Sequence, residues 1–302
     1  MAAEGDHIRR YNYTGEDRRV PDDATHVTIA ASVRVIPANA FRGHPNIVEV
    51  VCDVNVKRVE RDAFTECPSL RRIIMPGVEV VEEHVFYNCV NLTDVECGML
   101  EIIKEEAFQR CKSLSSIDLP SAKIVEGWAF EGCAALTDAR FGSKLERIVG
   151  EAFADSESLE QITIPFKDGM ITAGSIFSGC ENLKHVDLVQ GELHKTIADL
   201  QLEEWRNDMY EEIGLINQIL PTVDAGGWNN DVGFMGGYED GEKAQAIRTW
   251  IGSVLGKIIH YQAEHQRLLD EEVATTLQLA LPRDIVMNNV LPFLELPSYT
   301  FE

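Results

Sequence analysis

Glu106-Ala107-Phe108-Gln109-Arg110-Cys111-Lys112-Ser113-Leu114-Ser115-Ser116-Ile117-Asp118-Leu119-Pro120 is the stretch whose reading decides the fold. Phe108 and Cys111 lie three apart and predict one face of a helical turn. Ile117 and Leu119 then alternate with Asp118, as a half-buried strand does. Pro120 closes the segment, because proline cannot donate to a continuing ladder. The same switch recurs up and down the chain. Phe41, Phe64, Phe86, Phe108, Phe130, Phe153 and Phe177 keep a spacing of about 22 residues. Three residues after them stand His44, Cys67, Cys89, Cys111, Cys133, Ser156 and Cys180, and three further on Ile47, Leu70, Leu92, Leu114, Leu136, Leu159 and Leu183. Three columns held in register through seven units mark a repeat, and a repeat of about this length marks a solenoid.

Each unit buries one face only and must stack on its neighbours. A second apolar pair, such as Val56 and Val59, Val78 and Val81, or Leu145 and Ile148, leads into the next turn. Stacked strands rise about 4.8 Å per coil, so seven coils predict a slab roughly 30 Å long with Phe, Cys and Leu ladders inside.

The unit V-x-x-I-x-x-x-A-F-x-x-C-x-x-L-x-x-I-x-I-P resembles the BspA-type leucine-rich repeat. The opening from Tyr13-Thr-Gly-Glu-Asp to Val27, the segment His260 to Leu269 and the ending Asn289-Val-Leu-Pro-Phe-Leu294 are similar to algal members of that family. The resemblance implies a leucine-rich-repeat fold whose usual task is protein binding. His44 and Ser156 depart from the motif at the cysteine column, and Val85 and Ile176 at the alanine before Phe.

After Leu188 the period becomes helical. Ile197, Leu200, Met209, Ile213, Ile216 and Leu220 form a stripe ended by Pro221. Residues 224–241, with six glycines, read as a long loop. A second stripe runs from Ile247 through Trp250, Ile251, Val254 and Ile258 to Leu269. Asp270 is placed to cap a further helix, Glu271 to Leu281, and Pro282 to open a last one. Two long amphipathic helices joined by a loop predict an antiparallel pair. The expected organisation is α+β: an N-terminal cap (1–24), a leucine-rich-repeat solenoid of about seven coils of 22–24 residues (25–188), and an acidic α-helical region (189–302).

Composition narrows the function classes. With Lys+Arg 27 against Asp+Glu 50, the formal charge is −23, which repels phosphate backbones and argues against nucleic acid as a partner. No apolar run approaches the roughly 18 residues of a membrane helix, and the first ten residues lack a secretory core. The seven cysteines are odd in number and come in no close-spaced pairs. They predict reduced thiols packed as small hydrophobes in the cytoplasm or nucleus, without a metal centre. His260 and Glu264 share a helix face, but His265 lies about 140° round the helix from His260. A surface pair is expected there and no catalytic set, and neither a cofactor nor an enzymatic activity is expected.

The candidate binding surface is the solvent side of the strands. Asp94, Glu96, Asp118, Asp138 and Asp187 point outward there, with Arg71, Arg72 and Arg140 interrupting them. Stacking is expected to bring carboxylates of neighbouring coils within about 5 Å and so to attract a protein with a basic surface. A second copy meeting the C-terminal helices is a further expected partner. The alternative reading is an adaptor whose repeats select a client and whose tail recruits other machinery, since Leu281 to Leu294 is faintly similar to the first half of an F-box.

Overall fold

The computed structural model describes residues 8–16, 19–189, 192–200, 202–229, 237–238 and 241–280. In chain order the strands of the repeats are β1 (Arg10–Tyr13), β2 (His26–Ile29), β3 (Val35–Ile36), β4 (Glu49–Cys52), β5 (Arg58–Val59), β6 (Arg72–Ile74), β7 (Val80–Val81) and β8 (Asp94–Glu96). They continue as β9 (Ile102–Ile103), β10 (Ser116–Leu119), β11 (Ile124–Val125), β12 (Asp138–Phe141), β13 (Arg147–Ile148), β14 (Gln161–Ile164) and β15 (His185–Leu188). Each pairs in parallel with the equivalent strand of a neighbouring coil, giving a β-solenoid of about seven turns.

Two ladders run along it. The longer strands form the outer ladder in two panels, β1-β2-β4-β6-β8 and β10-β12-β14-β15. The two-residue strands form an unbroken second ladder, β13-β11-β9-β7-β5-β3. That second ladder is absent from the sequence reading. Val59, Val81 and Val125 leave too short an alternation to read as strands, and stacking alone makes them one.

The corner holding each phenylalanine from Phe41 to Phe153 is a pair of tight turns, not the helical turn expected; at Phe177 a turn of 3-10 helix (Gly174–Phe177) forms instead. Two left-handed residues bracket each ring from Phe41 to Phe153, and one follows Phe177. Asn39, Asp62, His84, Glu106, Trp128 and Glu151 stand two before a Phe, and Gly43, Glu66, Asn88, Arg110, Gly132, Asp155 and Gly179 stand two after one, with φ between 53° and 75°. Such a conformation costs a non-glycine residue of order 1 kcal/mol. It turns the chain sharply enough for backbone N–H groups to reach the next coil, as Phe86 N–H does to Ala107 O at 2.8 Å. The phenyl rings stack from Phe41 to Phe177 with centroids 4.8–5.9 Å apart, and Tyr13 lies over the first at 5.0 Å.

The cysteine column has a second role besides packing. Each thiol donates to the carbonyl of the preceding coil's phenylalanine: Cys67 to Phe41, Cys89 to Phe64, Cys111 to Phe86, Cys133 to Phe108 and Cys180 to Phe153, at 3.0–3.2 Å. Ser156 makes the same bond to Phe130 at 2.8 Å. At the first coil the His44 Nε2 lies 2.9 Å from Pro21 O. The departures at His44 and Ser156 therefore keep a polar group within reach of a carbonyl of the preceding segment. All seven cysteines are buried and unbridged. Burial pushes Cys52, Cys97 and Cys180 up to about 12.

The helical region departs from the expected pair of long helices. The first stripe is divided into α1 (Glu192–Ala198), α2 (Glu203–Gly214) and the single turn α3 (Ile216–Ile219). The breaks let the chain fold over the open end of the last coil, so that Leu193, Ile197, Met209, Ile216 and Leu220 join the core cluster of the solenoid. The loop at 224–241 contains a short antiparallel pair, β16 (Trp228–Asn229) with β17 (Gly237–Tyr238). Beyond it runs one helix, α4 (Glu242–Ala280), straight through Asp270. The Asp270 carboxylate accepts from Gln266 Nε2 at 3.0 Å instead of capping a new helix. The expected helix opened by Pro282 and the F-box-like ending lie outside the described residues. The helix expected over Glu271 to Leu281 falls within α4 as far as Ala280.

α4 packs antiparallel on α2. Trp250 Nε1 donates to Glu212 O, Lys257 Nζ meets Asp208 and Glu212 at 2.9 Å, and Tyr261 stacks on Trp205. Lys243, at 2% exposure, ties α4 to the last coil by donating to Glu181 O, Leu183 O and Leu220 O. Three carbonyls can satisfy a buried ammonium that would otherwise be very costly.

Candidate binding face

The pleat aims alternate residues of the outer ladder at solvent, in two columns. One runs His26, Glu49, Arg72, Asp94 on the first panel and Ser116, Asp138, Gln161, His185 on the second. The other runs Thr28, Val51, Ile74, Glu96, then Asp118, Arg140, Thr163, Asp187. The expected stack of carboxylates is not what forms. Arg72 lies against Asp94 at 2.9 Å, bonds Glu96, and faces Glu49 at 3.8 Å. Arg140 holds Asp138 at 2.5 Å, and Asp187 accepts from Gln161 at 2.7 Å. Within the columns, a carboxylate follows a carboxylate in one step only, Glu96 to Asp118, and there the ladder is interrupted between β8 and β10. Two like charges about 5 Å apart repel by about 1 kcal/mol even in water.

The interruption divides the predicted site residues. Arg72, Asp94 and Glu96 belong to the first panel, where the one guanidinium is shared between the carboxylates. Arg71 stands exposed just before β6. Asp138 is turned toward Arg140 and only 18% exposed. Asp118, Arg140 and Asp187 meet in a groove of about 750 Å3 on the second panel. Its far wall comes from the helical region, with His194 of α1, Ile213 and Gly214 of α2 and Asn217 of α3. Gln161 and Thr163 complete the floor.

Sequence reading missed His194, Gln161, Thr163 and Asn217. The two strand residues carry the signal, since they occupy the same outward columns as Asp138 and Arg140. His194 and Asn217 carry none, because only the fold of α1 to α3 over the last coil brings them there. Asn217 accepts the Val186 N–H at 2.8 Å, so it covers the edge of β15. His194 lines the groove with a buried Nδ1 that has no hydrogen-bond partner among the described residues.

The flank of the second ladder is different in character. Its charges pair from coil to coil: Lys57 with Glu79 at 3.0 Å, Glu101 with Lys123 at 2.7 Å, and Lys104 with Glu126 at 2.8 Å. Among the described residues, no group of three or more His, Cys, Asp and Glu could hold a metal ion, and no helix is long and apolar enough to cross a membrane. His260 is exposed beside the Tyr261 ring, while Glu264 bonds Arg267 at 2.9 Å.

The family model described as "BspA type Leucine rich repeat region" matches residues 22–121 and 79–199, in 6 copies. The chain belongs to the BspA-type leucine-rich-repeat family. Among solved structures it is similar to the T. pallidum leucine-rich repeat protein, at 19% identity over 59% of this chain and 84% of that one, with a TM-score of 0.39. It is also similar to a leucine-rich repeat protein from Eubacterium ventriosum, at 22% identity over 45% of this chain and 44% of that one, with a TM-score of 0.40. A search of curated proteins found no match. Leucine-rich-repeat solenoids of this kind are commonly protein-interaction modules.

Proposed function

We propose that this protein binds another protein, without catalysing a reaction, through the second panel of the outer ladder, and that the groove at its helical end is the centre of the contact. The observation that carries this reading is the groove itself. Side chains from four successive coils and from the helical region converge there, whereas Lys57, Lys104 and Lys123 on the opposite flank are already paired with carboxylates within the chain. Asp118 and Asp187 line the groove together with Arg140, whose guanidinium is held by Asp138, so the groove favours a partner that brings basic side chains. The apolar groups of Phe141, Val186, Leu188 and Ile213 supply burial between those charges.

A cytoplasmic setting accords with seven free thiols. Their burial and high pKa also remove them as nucleophiles, which supports a binding role over a catalytic one.

The test is affinity capture on the wild type, on Asp118→Lys/Asp187→Lys, and on Asp94→Lys/Glu96→Lys, each checked for an unchanged circular dichroism spectrum. Proteins retained by the wild type and by the Asp94/Glu96 variant, and depleted at least tenfold on the Asp118/Asp187 variant, support the groove. Equal retention by all three removes it.

A further inference from the structure

The two ends of the solenoid are finished differently. At the C-terminal end Asn217 accepts the Val186 N–H and Lys243 donates to Leu183 O, so the last coil is covered. At the N-terminal end β1 closes the outer ladder and β3 the second. The register of β1 shows which of its backbone groups are already used. His26 N–H donates to Arg9 O at 3.1 Å and Ala30 N–H to Tyr13 O at 2.9 Å, so residues 9, 11 and 13 turn their groups toward β2. Arg10 and Asn12 turn theirs away from it. Both are exposed, and among the described residues no group bonds their N–H or C=O. Ile8, just before β1, and Val35, on β3, are exposed apolar side chains at the same end.

An open strand edge of this kind takes up another strand, and charge selects which one. Residues 1–75 contain 11 Lys+Arg and 11 Asp+Glu, so the whole formal charge of −23 falls on residues 76–302. Two copies meeting through the later coils or the helical region would set acidic surface against acidic surface. At the N-terminal end they meet neutral to neutral, with the remote charges screened beyond about 8 Å at physiological salt. A neutral end also lacks the basic excess that would draw in an acidic strand of a different protein. We propose that β1 pairs antiparallel with β1 of a second copy, giving an end-to-end dimer whose outer sheet runs through both chains. With the two-fold axis at Tyr11, Arg10 lies opposite Asn12 of the second copy, and each such pair exchanges both of its N–H···O bonds. In this register no arginine faces its own copy.

Sedimentation equilibrium of the full-length protein at 150 mM NaCl, from about 5 to about 200 μM, reads the association. A monomer–dimer equilibrium within that range is expected. Asn12→Pro removes an outward N–H that the β1–β2 ladder does not use, and it should weaken the dimer at least tenfold. Asn12→Glu and Asn12→Arg leave the backbone intact. The first sets a carboxylate opposite Arg10 of the second copy and should tighten the dimer about fivefold, and the second sets like charges there and should loosen it by a similar factor. A chain that stays monomeric throughout overturns the proposal. So does a dimer that is as tight in Asn12→Pro, or one indifferent to the sign of the charge at position 12, since it then forms through another surface.

Discussion

At the scale of single residues, the phenylalanine column concentrates the stability of the solenoid. Phe108 is fully buried, with rings stacked on both sides at 5.0 and 5.2 Å. Phe108→Ala is expected to cost about 3–5 kcal/mol, read from urea denaturation, because a cavity in a stacked column has no side from which to collapse. The cysteines should behave as inert thiols. Their folded pKa lies above the unfolded one, so whatever their neutral form contributes is fully present below the ordinary thiol range and is lost only as pH rises toward 12. At pH 8 the native protein should therefore give no reaction with a disulfide reagent such as DTNB, and seven equivalents after unfolding in guanidinium. Rapid labelling of the native chain would contradict the buried column. The repeat was legible here because each ring and thiol is written as a residue type at a fixed interval. The bond from thiol to carbonyl was not, since it joins a cysteine to a phenylalanine 25 to 27 residues earlier.

At the scale of elements, charge order decides how the outer ladder closes. Asp118→Asn removes the carboxylate that faces Glu96 across the interruption between β8 and β10. It should stabilise the solenoid by about 0.5 kcal/mol, as a small rise in Tm. No change in Tm would show that another cause separates the panels. The α2–α4 contact depends on pH through its acids. Tyr261 and Lys257 hold Asp208 below the usual carboxylate range, and Lys257 and Ser253 do the same for Glu212. Depressed carboxylates stabilise fully above their unfolded pKa and lose that contribution as pH falls through the folded one. The contact should thus be constant from pH 5 to 9 and weaken below about pH 4. Asp208→Asn should cost about 1 kcal/mol at pH 7 and much less at pH 3, measured by thermal melts at both pH values. The apolar stripe announced helices in this region, but not where they break. Gly214 and the turns around it matter only because the chain must cross the end of the last coil.

At the scale of the whole molecule, the helical region completes the solenoid. A stacked sheet ends in an open edge that invites aggregation or pairing. Here that edge is covered: Asn217 takes the Val186 N–H, Lys243 takes Leu183 O, and Trp250 meets Phe166 edge-on at 6.2 Å. The groove exists because α1 to α3 stand beside β14 and β15. The repeats and the presence of helices were plain from periodicity, whereas the groove was not, because no interval in the sequence relates His194 or Asn217 to Arg140.

The most direct test of this arrangement is amide hydrogen exchange across residues 183–189 in the wild type and in Asn217→Ala. The covered edge predicts slow exchange in the wild type, comparable with the central strands β4 and β12. In the variant, exchange should quicken at Val186 with the central coils unchanged. Exchange of this strand in the wild type as fast as in exposed turns would contradict the docking of the helical region, and with it the groove.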